Sequence, residues 1–152
     1  ILTAGLYHFG WLHLTLNVLG IALLGRQVEA RLGHLWTFAT FWVSSIGAMS
    51  ILAATVPAGT PPGIVVGASG GLMGILGAVI GGVAVRYAKE RRRPDRRQLV
   101  VLLFIVAFQV IFDAATPQVS GAVHLYGLAI GTGVGVFATV ARSRSQSVKA
   151  SA

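Results

Sequence analysis

An all-α bundle of five membrane-crossing helices is the fold this sequence predicts, and three observations carry the prediction. Hydrophobic residues make up 55% of the 152-residue chain and charged residues 11%, with a mean hydropathy of +0.77; a soluble domain carries about a quarter charged residues. Apolar runs near the roughly 20 residues needed to cross hydrocarbon recur at about 10–25, 35–54, 69–85, 99–113 and 121–141, between polar or Pro/Gly-rich joints. None alternates like a barrel strand, so each must satisfy its own backbone hydrogen bonds as a helix. The third observation is one-sided charge. Twelve Lys and Arg against four Asp and Glu give a formal net charge of +8, gathered in three clusters: Arg26 and Arg31; Arg86, Lys89, Arg91, Arg92, Arg93, Arg96 and Arg97; Arg142, Arg144 and Lys149. Threading five spans brings all three clusters to one side, and the opposite loops, 55–68 and 114–120, hold no Lys or Arg. By the positive-inside rule the basic side is cytoplasmic and residue 1 starts outside. No aromatic or basic recognition face accompanies the charge, which argues against nucleic acid as a partner. The lipid bilayer is the expected one.

The first span carries His13 and, one turn deeper on the same face, Asn17. A histidine inside a membrane is costly and a functional candidate by default. His8, five residues earlier, falls off that face and reads as a supporting residue of the entering loop. The second span begins after His34, an ordinary interfacial histidine. The third opens at Gly67-Ala68-Ser69-Gly70 and continues with Gly74, Gly77 and Gly81. The fourth follows the largest basic cluster and ends at Asp113, which reads as a solvated helix-end carboxylate. The fifth opens at His124-Leu125-Tyr126-Gly127 and continues with Gly131 and Gly135. Residues 1–141 form the membrane domain, and 142–152 read as a polar, disordered cytoplasmic tail. With no Cys in the chain, disulfides and thiolate metal sites are excluded. An outside start with neither Met nor a secretory signal reads as a domain cut.

Spans one, three and five run in the same direction, so their starting residues share the outer half of the membrane. Ser69 lies 17 positions before Arg86 and His124 lies 18 before Arg142, about 26 Å at 1.5 Å per residue. The two side chains are matched in depth. His13, 18 positions before Arg31, matches them if Arg31 marks the boundary. Glycines at spacings of three and four let transmembrane backbones pack closely, and both stripes begin beside these residues. Close backbones are what a serine–histidine hydrogen bond needs. Each feature also has a plainer reading: small-residue stripes pack many membrane helices, and a serine between glycines is often only a packing residue.

The ordered set His8-Phe-Gly-Trp-Leu-His13-Leu-Thr-Leu-Asn17, Leu24-Gly25, Val28-Glu29, Arg31-Leu32-Gly33, Gly67-Ala68-Ser69-Gly70, then His124 with Gly127 and Gly131, resembles the rhomboid intramembrane serine proteases. The resemblance covers nearly the whole chain and corresponds to the family's second through sixth transmembrane helices. It implies a serine endopeptidase with a Ser-His dyad: Ser69 as nucleophile and His124 as general base, with no acidic third member. No carboxylate is placed by the sequence to orient His124. The family match assigns His13, Asn17 and the Ser69 backbone N–H to the oxyanion hole. Ser69 begins a helix, whose first N–H groups lack intrahelical acceptors at the positive dipole end. His8, Gly67, Gly70, Met73, Gly127 and Gly131 take supporting places. No metal or other cofactor is implied. Substrates would be transmembrane segments entering sideways near the fourth span, locally unwound and cleaved near their outer ends. Gly63-Ile64-Val65-Val66 could offer them an extended edge.

Met73 departs from the pattern, since many rhomboids carry there an aromatic that stacks on the histidine; a thioether orients an imidazole less firmly. The family's first helix and following loop lie outside these 152 residues, so the isolated chain is expected to be poorly stable or inactive. The expected location is a bacterial plasma membrane, with the site toward the outer face. Three other readings stay open: a noncatalytic rhomboid-like protein that binds transmembrane clients as chaperone or adaptor, part of a transporter whose polar residues line a pathway, and a metal hydrolase using His8, His13 and His124. The last has poor spacing and no carboxylate partner.

Overall fold

The computed structural model describes residues 4–8, 10–57, 59, 65–116 and 120–150. A 3-10 turn at Ala4–Leu6 precedes α1 (Trp11–Leu32), α2 (His34–Thr55), α3 (Ser69–Glu90), α4 (Arg93–Ala115) and α5 (Gly121–Ala150), and no strand occurs among the described residues. This is the all-helical bundle the composition predicts. Among the described residues four helices, α2 to α5, are long and apolar enough to cross a membrane. α1 has the 22 residues of α2 and α3 but is more polar, carrying His13, Asn17, Arg26, Glu29 and Arg31.

The helices outrun the apolar segments at their basic ends, because Arg, Lys, Glu and Gln are good helix formers even where they leave hydrocarbon. α1 passes Arg26 and Arg31 and stops at Gly33, whose φ of +91° breaks the helix in a single residue. Its N–H donates to the Glu29 carbonyl at 2.8 Å and its own carbonyl accepts from Thr37 at 3.2 Å, so one residue closes α1 and opens α2. Between α3 and α4 only Arg91 and Arg92 lie outside helix. Arg91 takes a left-handed conformation (φ +52°) and Arg92 an extended one. Pro94 then sits in the first turn of α4, where its lack of an N–H is harmless. Asp95 of that turn reaches back to Arg86 at 3.3 Å. The tail expected to be disordered is in part helical: α5 continues through Ala150. Beyond Gly135 the segment holds no Gly or Pro to stop a helix already nucleated in the bundle.

α3 is the axis of the bundle. In its most apolar stretch 61% of residues are buried, against 6% for α4, which leans on it from the side. Val28 of α1, Met73, Ile75, Leu76, Val79 and Val83 of α3, and Leu102 of α4 form the main apolar cluster. Phe104, Phe108 and Ile111 of α4 are exposed, as lipid-facing side chains of a membrane helix are.

Apolar burial drives helices together only weakly in lipid, so close backbone packing has to do it. α3 and α5 meet in parallel register through their glycines: a Cβ on Gly127 would land on the Gly70 carbonyl oxygen, on Gly131 on that of Gly74, and on Gly135 on that of Ala78. Reciprocally, Gly77 lies on the Leu128 carbonyl and Gly81 on that of Thr132. α1 runs the same way, with Gly20 against Leu72, whereas α2 is antiparallel, with Ala48 beside Gly70 and Ser44 beside Gly74. α1, α3 and α5 therefore begin at one end of the bundle, opposite the basic residues.

Candidate active site

Ser69 is the first residue of α3, half-buried. The chain enters this helix through Gly67, whose φ of +128° is a conformation that side chains other than glycine rarely adopt. A Cβ there would stand 2.7 Å from His13 Cε1, 3.1 Å from His13 Nε2 and 3.6 Å from Ser69 Oγ. The space left by the absent side chain of Gly67 is thus bordered by both the His13 ring and the Ser69 hydroxyl. The first backbone bond of α3 runs from the Leu72 N–H to the Ala68 carbonyl at 2.9 Å. The N–H groups of Ser69, Gly70 and Gly71 have no acceptor within the helix.

His8 supports this end. The Ala68 N–H donates to His8 Nε2 at 3.4 Å, and His8 Nδ1 lies 3.3 Å from the Leu6 carbonyl. For both to be hydrogen bonds the proton sits on Nδ1. The His8 and His13 rings meet edge to face at 5.1 Å. Asn17 is 3% exposed. Its amide donates to the His13 carbonyl at 2.8 Å, while its Oδ1 is buried without a partner.

His124 is buried near the start of α5. The residue before it, Val123, presses its Cγ1 to within 2.9 Å of a Cβ placed on Gly70. Gly70 follows Ser69, so neighbours of the two candidate residues touch, and one turn further Gly127 rests on the Gly70 carbonyl. Gly131 continues the contact. Met73 lies in the apolar cluster around α3. Val65 and Val66 are not helical; Gly63 and Ile64 lie outside the described residues.

One expectation is overturned. Asp113 is not a solvated helix-end carboxylate, and His124 does not lack an acidic partner: Asp113 Oδ2 lies 2.8 Å from His124 Nδ1, with the two side chains 7% and 6% exposed. Gln109 Nε2 donates to Asp113 Oδ1 at 2.7 Å. Two features of tertiary packing produce this. The end of α4 and the start of α5 come together, and Gly121 leaves room, since a Cβ on it would stand 3.2 Å from Asp113 Cβ. A sequence signal for the pair exists. Gln109 and Asp113 are polar residues four apart in the otherwise apolar segment 99–113 of α4, hence on one face of it, and an acidic residue in a membrane span is a functional candidate before it is a surface group.

Long apolar helices joined through glycine stripes define an integral membrane protein, and its polar residues Ser69, His13, Asn17, His124 and Asp113 gather at the end remote from its basic clusters. Residues 1–140 match the Rhomboid domain family, and the chain belongs to that family. Among curated proteins it is similar to three from Arabidopsis thaliana. It is 26% identical to RHOMBOID-like protein 5 over 82% of this chain and 38% of that one. It is 28% identical to RHOMBOID-like protein 6, mitochondrial, over 86% and 40%, and 28% identical to RHOMBOID-like protein 1 over 82% and 30%. The matched region is thus well under half the length of each relative. No solved structure matches the chain.

Proposed function

We propose that this chain is the core of an intramembrane serine endopeptidase that cleaves transmembrane segments of membrane proteins through an acyl-enzyme. The observation that carries the reading is the packing of Gly70 against the Gly127 backbone and the Val123 side chain, which sets the helix starts bearing Ser69 and His124 side by side. Ser69 Oγ attacks the substrate carbonyl carbon while His124 Nε2 takes the hydroxyl proton. The tetrahedral oxyanion is held by N–H groups at the start of α3, at its positive dipole end. The His13 ring and the second amide hydrogen of Asn17 are the side-chain donors proposed to join them. Collapse breaks the C–N bond, His124 returns the proton to the leaving amine, and water, activated by the same histidine, releases the acyl group and restores Ser69. Removing one oxyanion donor costs about 3 kcal/mol of transition-state stabilisation.

The substrate is a transmembrane helix that enters beside α4, the least buried helix, and unwinds, because an intact helix hides its scissile carbonyl in its own hydrogen bonds. The non-helical Val65-Val66 segment is available to pair with the unwound strand. The basic end faces the cytoplasm under the positive-inside rule, which sets Ser69 toward the outer leaflet.

The test is labelling of the intact membrane-embedded protein by a fluorophosphonate, together with cleavage of a transmembrane reporter, in wild type, Ser69→Ala and His124→Ala. Labelling and cleavage in wild type that both substitutions abolish are expected. A folded wild type that neither labels nor cleaves would overturn the protease reading in favour of a noncatalytic binder of transmembrane clients.

A further inference from the structure

A carboxylate buried in a membrane helix is expensive unless its charge is met by hydrogen bonds. Asp113 is bonded twice, through Oδ2 to His124 Nδ1 at 2.8 Å and through Oδ1 to the Gln109 amide at 2.7 Å. An ionised carboxylate only accepts, so the proton of this bond belongs to Nδ1 of the imidazole. The other ring nitrogen, Nε2, then keeps its lone pair. Gln109 Nε2 also lies 3.4 Å from His124 Nδ1, but both groups are donors in this arrangement, so the amide serves Asp113 rather than the histidine. It holds the carboxylate so that one oxygen faces Gln109 and the other His124. The arrangement spans two helices that otherwise touch lightly: a cleft of about 250 Å³ lined by Val110, Asp113, Ala114, Gly121 and Leu125 opens along their seam. Gly121 admits the carboxylate, its missing side chain standing 3.6 Å from Asp113 Oδ2.

We propose that Asp113, braced by Gln109, is a positioning residue that locks His124 in the Nδ1–H form and so leaves Nε2 as the base for Ser69. The role rests on the reading of Ser69 and His124 as nucleophile and base, and it places behind the histidine a hydrogen-bonded pair, Asp113 and Gln109, contributed by a third helix. A carboxylate behind a catalytic histidine fixes tautomer and ring orientation and stabilises the imidazolium formed during reaction; an amide in its place presents the wrong tautomer and lowers kcat by up to about 10⁴-fold in serine proteases.

The experiment pairs a rate with a spectroscopic signature in the intact protein in micelles. Cleavage of a transmembrane reporter is measured for wild type, Asp113→Asn, Asp113→Glu, Gln109→Leu and Ser69→Ala. In parallel, ¹⁵N-histidine spectra read the tautomer of His124, assigned by loss of its signals in His124→Ala. Wild type should show a single Nδ1–H form. Asp113→Asn should show a mixture, with kcat down at least about 100-fold and KM within about twofold; Asp113→Glu should recover part of the rate and Gln109→Leu should lose less. Asp113→Asn that keeps both the wild-type tautomer and the wild-type kcat overturns the proposal while leaving Ser69 and His124 in place. A wild-type tautomer held by Asp113 in a protein with no Ser69-dependent cleavage overturns the catalytic role and the protease reading together.

Discussion

Gly127 is where the packing of the bundle and the geometry of the candidate site depend on the same contact. In Gly127→Ala the new Cβ falls on the Gly70 carbonyl oxygen, with the Gly70 carbonyl carbon only 3.0 Å away, whereas ordinary contact begins near 3.4 Å. Neither obstacle is a side chain that can rotate aside, so α3 and α5 have to part by roughly 1 Å, and overpacking of this kind costs about 1–3 kcal/mol. Backbone against backbone belongs at the upper end of that range. The same separation opens the distance between the helix starts that carry Ser69 and His124, and a 1 Å misplacement of reacting groups costs about 100-fold in rate. Gly133 supplies the control: it lies on the same helix with nothing within 4 Å of a Cβ, and replacing an exposed helical glycine by alanine is neutral or stabilising by up to about 1 kcal/mol. The assay is reversible unfolding in mixed micelles, read alongside the rate of Ser69 labelling by a fluorophosphonate. Gly127→Ala should lose stability and label about two orders of magnitude more slowly, with Gly133→Ala at or above wild type in both. Equal behaviour of the two variants would refute the argument that backbone contact at Gly70 sets the site.

Gly67→Ala combines a φ of +128° with a Cβ 2.7 Å from the His13 ring, and a side chain held in such a conformation costs about 1–3 kcal/mol. Unfolding midpoints and labelling should both fall. His8→Ala removes the acceptor of the Ala68 N–H, a hydrogen bond with a net contribution of about 1 kcal/mol; thermal unfolding should show that loss, and His8→Gln should recover part of it. Asp95→Ala breaks the 3.3 Å pair with Arg86 that closes the α3–α4 corner. A hydrogen bond to a charged group contributes about 1.5–3 kcal/mol, and because both groups retain some solvent the loss should lie at or below the lower figure, with little change in labelling. Met73→Ala removes a buried side chain from the core beside α3, and denaturation should report a cost of about 2–5 kcal/mol if the cavity does not collapse.

Much of the architecture was legible in one dimension because hydrocarbon imposes a length and a composition on whatever crosses it. The apolar runs, the one-sided basic clusters and the spacing of Gly70, Gly74, Gly127, Gly131 and Gly135 foretell helices, a common basic end and close packing from local rules alone. The ends of the helices were less legible: Arg86 to Arg97 looks like a loop by charge, yet only Arg91 and Arg92 leave helix, because charge ends the apolar span without ending the helical hydrogen bonding. Likewise, α5 does not stop where its hydrophobicity does.

The amino-acid sequence by itself determined, through helical rise and the parity of the crossings, that Ser69 and His124 begin parallel spans at matched depth. Tertiary structure alone decided what faces them. That His13 and the Ser69 hydroxyl both border the space left open by Gly67, and that Asp113 and Gln109 turn inward to His124, depends on the rotation of each helix about its axis. That rotation is set by contacts between residues far apart in the chain, such as Gly127 with Gly70. Periodicity within a single helix says which residues share a face, and only packing says what that face meets.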